Sequence, residues 1–101
     1  MPLFNRIEDE EKYREWLREH HDVGFVLNCY YYPNGEVAML HLPACETLLA
    51  HDDFNHTGPK FAKKCGIELD DLLNWAACEL AVKVKGCSCL RGLRLISTES
   101  R

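Results

Sequence analysis

The chain has 101 residues, 47% of them hydrophobic, and a net charge of −4 at pH 7, which is the composition of one ordinary globular domain. No apolar run approaches the roughly 20 residues of a membrane-spanning helix, and the N-terminal residues do not resemble a signal peptide, so we expect a cytoplasmic protein without a membrane partner. The negative charge argues against strong non-specific nucleic-acid binding, which depends on neutralised phosphates.

The first predicted element is an amphipathic helix over residues 6–21. Four positions at helical spacing form its apolar stripe: Tyr13, Trp16, Leu17 and His20. Asn5 and Glu8 have the spacing of a capping box that would begin this helix. Gly24 is the predicted end.

A β-hairpin is predicted in the centre of the chain, because Asn34-Gly35 separates two apolar runs, residues 25–32 and 36–42. Both turn residues accept a positive φ. One face of the hairpin carries Phe25, Leu27, Cys29, Tyr31, Ala38, Leu40 and Leu42, which we expect to form the core. The other carries Val26, Asn28, Tyr30, Tyr32, Val37, Met39 and His41.

The second face is a candidate binding surface. With Asn34-Gly35 as a two-residue loop, Asn28 lies opposite His41, and this polar pair is flanked by Tyr30, Tyr32 and Met39. Exposed aromatic side chains on a sheet serve as anchors in protein interfaces and as stacking platforms for single-stranded nucleic acid. We therefore predict that this face contacts a protein partner or a second copy of the chain, with single-stranded nucleic acid as an alternative. The competing interpretation is that the face is simply buried and has no binding role.

Three further elements follow the hairpin. Residues 43–51 form one or two helical turns, residues 60–65 form a weak third strand, and residues 68–80 form the second helix. The buried stripe of that helix is Leu69, Leu72, Leu73, Ala76 and Leu80.

The order of elements, α-β-β-β-α, predicts an α+β fold: a small antiparallel sheet built on the central hairpin, with two helices packed on one face. We expect residues 1–101 to form a single domain in which residues 90–101 are a flexible basic tail. Residues 82–101 carry five basic side chains against one acid, whereas the rest of the chain sums to −8.

Six cysteines in a chain without an export signal should be mostly reduced. If the third strand pairs antiparallel with the second, Cys45 and Cys65 lie at opposite ends of the sheet, and the second helix returns Cys87 and Cys89 to the Cys45 end. Zinc takes about four thiolate or imidazole ligands in a tetrahedron. Cys45, Cys87, Cys89 and a histidine, with His41 as the candidate, are therefore an alternative zinc- or thiol-dependent site. Free thiols that pack like small apolar side chains are the competing interpretation.

Catalytic motifs are absent from the sequence. A nucleophile pair drawn from Cys45 and His41 lacks an orienting third group, and no glycine-rich phosphate loop is present. We therefore predict no catalytic residue and favour a non-enzymatic binding or accessory module.

A set of short strings resembles a small bacterial domain of uncharacterised function, found alone or attached to restriction and nuclease-type proteins. The strings are Phe25-Val26-Leu27-Asn28, Leu40-His41 with Cys45, Lys64-Cys65, Leu72 with Trp75, and Cys87 with Cys89. They cover residues 10–89, and they depart from the family pattern where Cys87-Ser88-Cys89 replaces a Cys-x-x-Cys. The resemblance implies an accessory role near nucleic-acid processing, with Asn28 and His41 as positions of interest.

Overall fold

The computed structural model describes residues 1–29, 37–49, 56–58 and 62–90. Five strands form one sheet: β1 (Leu3–Phe4), β2 (Phe25–Asn28), β3 (Val37–His41), β4 (Lys63–Gly66) and β5 (Lys83–Gly86). Their spatial order is β1-β4-β2-β3-β5, and only the β3–β5 pair among these strands is parallel. The α+β class is therefore confirmed, with a mixed rather than purely antiparallel sheet.

The helices follow the predicted positions closely. They are α1 (Glu10–Glu19) after a 3₁₀ turn at Ile7–Asp9, α2 (Glu46–Leu49), and α3 (Leu69–Trp75), which continues as a π-helical turn at Ala76–Leu80. A last 3₁₀ turn spans Ser88–Leu90. Within the described ranges, no helix is both long and apolar enough to cross a bilayer.

The start of the first helix differs from the predicted capping box. The Asp9 carboxylate accepts a hydrogen bond from the backbone N–H of Arg6 at 3.1 Å and one from the Arg6 guanidinium at 3.2 Å. The hydrogen bond from Arg6 lowers the pKa of Asp9 below its ordinary value. Asp9 therefore does what was expected of Glu8, one residue later, because its side chain is the one that reaches the orphan backbone donor.

The sheet is covered on both faces. On one face, α3 packs on a cluster formed by Leu27, Cys29, Ala38, Leu40, Ala62, Leu69, Leu72, Ala76 and Leu90. On the other, α1 packs on a cluster formed by Phe4, Tyr13, Trp16, Leu17, Val26, Cys45, Leu48 and Cys65. Val26 and Leu27 belong to different clusters because side chains alternate along a strand.

The expectation that both helices pack on one face is therefore wrong. Val26 and Cys65 lie side by side on β2 and β4, and both are fully buried. Together they make the second face of the sheet apolar, and α1 covers this face and shields it from water. Leu90, which was expected in the tail, is 2% exposed and belongs to the α3 side of the core. Residues 91–101 lie outside the described residues, so the flexible tail stays a prediction there.

The hairpin register differs from the predicted one by two residues. Leu27 lies opposite Leu40, and Asn28 lies opposite Met39 rather than His41. A slip of two residues keeps each side chain on its face, whereas a slip of one exchanges the faces. The predicted core face is accordingly confirmed by Leu27 and Leu40, while the Asn34-Gly35 turn lies outside the described residues.

The neighbours of β4 and β5 decide where the cysteines lie. β4 is the predicted third strand, but it pairs with β2 instead of β3, so Cys65 lies opposite Val26. β5 occupies a segment for which no strand was predicted and runs parallel to β3. Because parallel strands end at the same edge, the residues after Gly86 lie beside the end of β3.

Candidate metal centre

The candidate site is built where β3 and β5 end together. His41 is the last residue of β3, and Leu40 lies opposite Gly86. The backbone N–H of Cys87 donates to the carbonyl of Leu40 at 2.9 Å, which extends the ladder by one residue. Cys87 is therefore placed next to His41 by main-chain hydrogen bonds alone.

Two short turns bring in the remaining cysteines. After β3, the backbone N–H of Cys45 donates to the carbonyl of Leu42 at 3.0 Å. After β5, the N–H of Leu90 donates to the carbonyl of Cys87 at 2.9 Å. The two turns are joined to each other, since the N–H of Leu42 donates to Sγ of Cys89 at 3.3 Å.

Four potential ligand atoms converge in this place. One atom from each of His41, Cys45, Cys87 and Cys89 lies within 4.8 Å of all the others. Sγ of Cys45 is 3.7 Å from Sγ of Cys87. Two thiolates bound to one tetrahedral zinc at about 2.3 Å stand about 3.8 Å apart, so this separation fits a zinc tetrahedron.

Burial sets the protonation state of the His41 side chain. His41 is 2% exposed, and burial together with the charge of Lys63 lowers its pKa to about 4. The imidazole is therefore neutral at pH 7, which is the form that binds metals. Its Nδ1 atom is buried and has no hydrogen-bond partner among the described residues. Such an atom costs free energy, and a bond to a cation is one way to satisfy it.

The cysteines differ in exposure and acidity. Cys45 is 6% exposed, whereas Cys87 and Cys89 are half-buried. Burial opposes the thiolate of Cys87, but hydrogen bonds with Cys89, Cys45 and Ser88 outweigh it and lower the pKa. Burial and the neighbouring Cys45 raise the pKa of Cys89. A divalent cation would favour all three thiolates at once, so binding would release protons.

The predicted set is thus brought together, although one step toward it was wrong. Cys65 was expected at the end of the sheet opposite Cys45, yet both pack in the α1-side cluster. Cys65 is separated from His41 by Val26, which pairs with both of them, and it is not part of the ligand cluster. Cys78 is exposed on α3's π-helical turn and also lies outside the cluster.

The recognition surface predicted on the same face is not built as expected. His41 is buried and does not pair with Asn28, because α1 covers this face and the register differs. The interpretation of His41 as an exposed recognition residue is therefore wrong. Asn28 and Met39 are half-buried. Tyr30 and Tyr32 lie outside the described residues, so their binding role stays a prediction.

A second polar cluster, which the sequence analysis missed, lies on the same face. The Glu10 carboxylate accepts hydrogen bonds from the backbone N–H groups of His56 and Thr57 and from Nε of Arg14. Nδ1 of His56 is 2.8 Å from the same carboxylate, and Nζ of Lys63 donates to the His56 carbonyl at 2.7 Å. Only the Glu10–Arg14 spacing of four residues was visible in the sequence.

This network ties residues 56–58 to α1. Burial opposes the ionised form of Glu10, but hydrogen bonds from His56 and Arg14 outweigh it and hold the pKa of the carboxyl below its ordinary value. Burial lowers the pKa of Lys63 to about 8. These groups satisfy one another, so the cluster is a structural clasp.

Comparison with known proteins gave no match: no family model, no curated protein and no solved structure is similar to this chain. The resemblance to the small bacterial domain therefore stays a prediction. The geometry of the His41, Cys45, Cys87 and Cys89 cluster carries the functional argument.

Proposed function

We propose that this protein is a zinc-binding domain in which His41, Cys45, Cys87 and Cys89 hold one Zn²⁺ ion. The observation that carries the proposal is the convergence of four ligand atoms within 4.8 Å from segments far apart in sequence. Cys45 and Cys87 are 42 positions apart along the chain, so local structure alone does not explain their contact.

The donor set favours zinc over other cations. Three thiolates and one imidazole are soft and borderline ligands, which suit zinc better than the oxygen-seeking Mg²⁺ or Ca²⁺. A Cys₃His set is one of the common structural zinc sites. Lys63 adds a positive charge on the same face, and three thiolates with one Zn²⁺ carry a net negative charge that it would complement.

The centre is structural rather than catalytic in this proposal. A catalytic zinc keeps one position open for water or substrate and takes three protein ligands. Here four side chains fill the tetrahedron, and two of them, His41 and Cys45, are buried. The domain then acts as a non-enzymatic module.

The bound ion would mainly stabilise the edge of the sheet at β5. β5 is an edge strand in which Lys83, Lys85 and Gly86 are exposed, so it buries little apolar surface of its own. A zinc bound by Cys87 and Cys89 on one side and by His41 and Cys45 on the other fixes the end of β5 to β3. Because the ligand atoms come together only in the folded chain, the free energy of binding the ion adds to the stability of the fold.

Metal analysis tests the proposal. Protein purified without added metal is expected to contain about one equivalent of zinc. Replacement by Co²⁺ should give the visible bands of a tetrahedral thiolate centre, and Cys87→Ser should remove or shift them. Cys78→Ser is the matched control because it removes an exposed cysteine outside the cluster. Zinc-free protein with no cobalt spectrum would rule the proposal out.

A second proposal concerns how such a module works, namely through contact with a protein partner or with itself. Met1, Val23 and Ile67 are each 50% exposed. Their chain segments lie close together, since the Met1 side chain lies over Gly66, and Gly24, which follows Val23, approaches Gly66 and the backbone of Ile67. Exposed apolar side chains on neighbouring segments favour interface formation more than scattered ones do.

The solution mass tests self-association. A mass near twice the 11.7 kDa of one chain, reduced to one chain by Ile67→Lys, would support a second copy as the partner. Glu68→Lys is the matched control, because it places the same charge at the neighbouring exposed position. A single-chain mass at all concentrations would exclude self-association and leave a different protein as the partner.

A further inference from the structure

We infer that Cys45 and Cys87 are a site of reversible oxidation by peroxides, in which their two sulfur atoms become a disulfide. The release of zinc that follows from this reaction rests on the proposed function. The starting point is the 3.7 Å separation of the two sulfur atoms. A disulfide bond is about 2.05 Å long, so the sulfurs need to approach by less than 2 Å, about what a change of side-chain torsion supplies.

The other two pairings in the cluster are less suited to a bond. Cys87 and Cys89 are separated by one residue at the start of the 3₁₀ turn Ser88–Leu90, and a disulfide between them would close a small, strained ring. Sγ of Cys89 is held by the N–H of Leu42 at 3.3 Å. Cys45 and Cys87 lie on different segments, so each can adjust without distorting the turn of the other.

Exposure assigns the two roles. Cys87 is half-buried and reaches the surface, whereas Cys45 is 6% exposed beneath it. A small oxidant in solution therefore meets Cys87 first. Cys45 is positioned to react only with what forms on Cys87, which is the arrangement of an attacked and a resolving cysteine.

The reaction has two steps. The Cys87 thiolate attacks one oxygen of hydrogen peroxide, the O–O bond breaks, and Cys87 becomes a sulfenic acid while hydroxide leaves. The Cys45 thiolate then attacks the Cys87 sulfur, forming the S–S bond and breaking the S–O bond. In sum, two thiolates, one peroxide and two protons give one disulfide and two waters. The two cysteines are oxidised, and the peroxide is reduced.

The oxidised domain keeps its fold but loses its ion. Zinc retains only His41 and Cys89 after the reaction, and two ligands do not hold it. The disulfide joins the same two segments that the ion joined, so β5 stays attached to β3. A dithiol reductant breaks the disulfide and restores the ligand set.

The test treats zinc-loaded protein with hydrogen peroxide in the presence of a chromophoric chelator. Expected are release of about one equivalent of zinc, a mass loss of about 2 Da, and a cross-linked peptide pair that contains Cys45 and Cys87. Dithiothreitol and zinc should reverse all three changes. Cys78→Ser should behave like the wild type, since it lies outside the cluster.

Two variants separate the roles of the cysteines. In Cys45→Ser, Cys87 should remain as a sulfenic acid that dimedone traps, and the cross-linked peptide should be lost. In metal-free Cys89→Ser, the Cys45–Cys87 peptide should still form. A Cys87–Cys89 peptide in the wild type, or no linked peptide, overturns the inference.

Failure of the two ideas can be told apart. Protein that binds zinc but gives no Cys45–Cys87 peptide overturns the oxidation site and leaves the metal centre intact. Protein that binds no zinc overturns the proposed function, and the linked peptide then decides the oxidation site alone. The melting temperature adds a readout: the oxidised protein should melt above the reduced, metal-free protein.

Discussion

Two polar clusters lie on the α1 side of the sheet, and they hold the chain together in different ways. In the clasp formed by Glu10, Arg14, His56, Thr57 and Lys63, carboxylate, backbone N–H groups and cations satisfy one another. In the candidate metal centre, three thiols and an imidazole can all donate electrons to a cation and are only weak hydrogen-bond partners for each other. The two clusters differ in how well their polar atoms are satisfied: the buried Nδ1 of His41 has no hydrogen-bond partner among the described residues, whereas the groups of the clasp bond to one another.

The sharpest test of this difference is removal of the proposed zinc ion. Chelation of zinc should lower the free energy of unfolding by about 4 kcal/mol, the value for a ligand present at about 1,000 times its dissociation constant. Urea unfolding with and without chelator measures the loss. Cys78→Ser should show the same loss, and Cys87→Ser should show almost none because it binds zinc poorly from the start. A wild type that is equally stable with chelator would contradict a structural ion.

The second test breaks the clasp instead. Glu10→Gln keeps the shape of the side chain but replaces the charged carboxylate, which accepts hydrogen bonds from His56, Thr57 and Arg14, with a neutral amide. We expect a loss of about 1–3 kcal/mol in the free energy of unfolding, with an unchanged zinc content. Glu11→Gln is the control, because Glu11 is exposed on the same helix. Loss of zinc in Glu10→Gln would show that the two clusters are not independent.

The third expected effect is a pH dependence from Lys63, comparable in size to the effect of breaking the clasp. Burial lowers the pKa of Lys63 from 10.5 to about 8. Between these values the unfolded chain binds more protons than the folded one, so the contribution of Lys63 to stability rises with pH. The stability difference between the wild type and Lys63→Met should therefore shift in favour of the wild type by about 1–3 kcal/mol from pH 8 to pH 10.5.

Zinc-loaded protein is used for this measurement so that thiol ionisation at the centre is suppressed. The exposed Lys83→Met is the control and should show no comparable shift. A constant difference between the wild type and Lys63→Met over this range would mean that Lys63 stays charged in the folded chain.

The ligand set could be predicted from the sequence because only a few cysteines lie outside helices and strand direction limits which of them meet. Cys45, Cys87 and Cys89 were placed at one end of the sheet for a partly wrong reason, since β4 pairs with β2. The correct reason is β5, and its sequence gives almost no strand signal. Among the four residues of β5 only Val84 is apolar, and the lysines on either side of it, Lys83 and Lys85, are exposed.

Long-range pairing explains the other errors. The apolar pattern of β2 identified the two faces, but it did not reveal that Cys65 would lie beside Val26 and require cover by α1. The clasp could not be predicted for the same reason, since Glu10 and His56 are 46 positions apart in the sequence. The turn predicted at Asn34-Gly35 gave the register of β2 and β3 only to within two residues.

The parallel pairing of β3 with β5 also has a consequence for the order of folding. His41 and Cys45 follow the local β2–β3 hairpin, whereas Cys87 and Cys89 arrive only after the connection through β4 and α3 has closed. Contacts between segments this distant form late, because loop closure is unfavourable until other contacts compensate. In the proposed zinc-bound form, full coordination is therefore expected after the rate-limiting step, and the ion should slow unfolding much more than it accelerates folding.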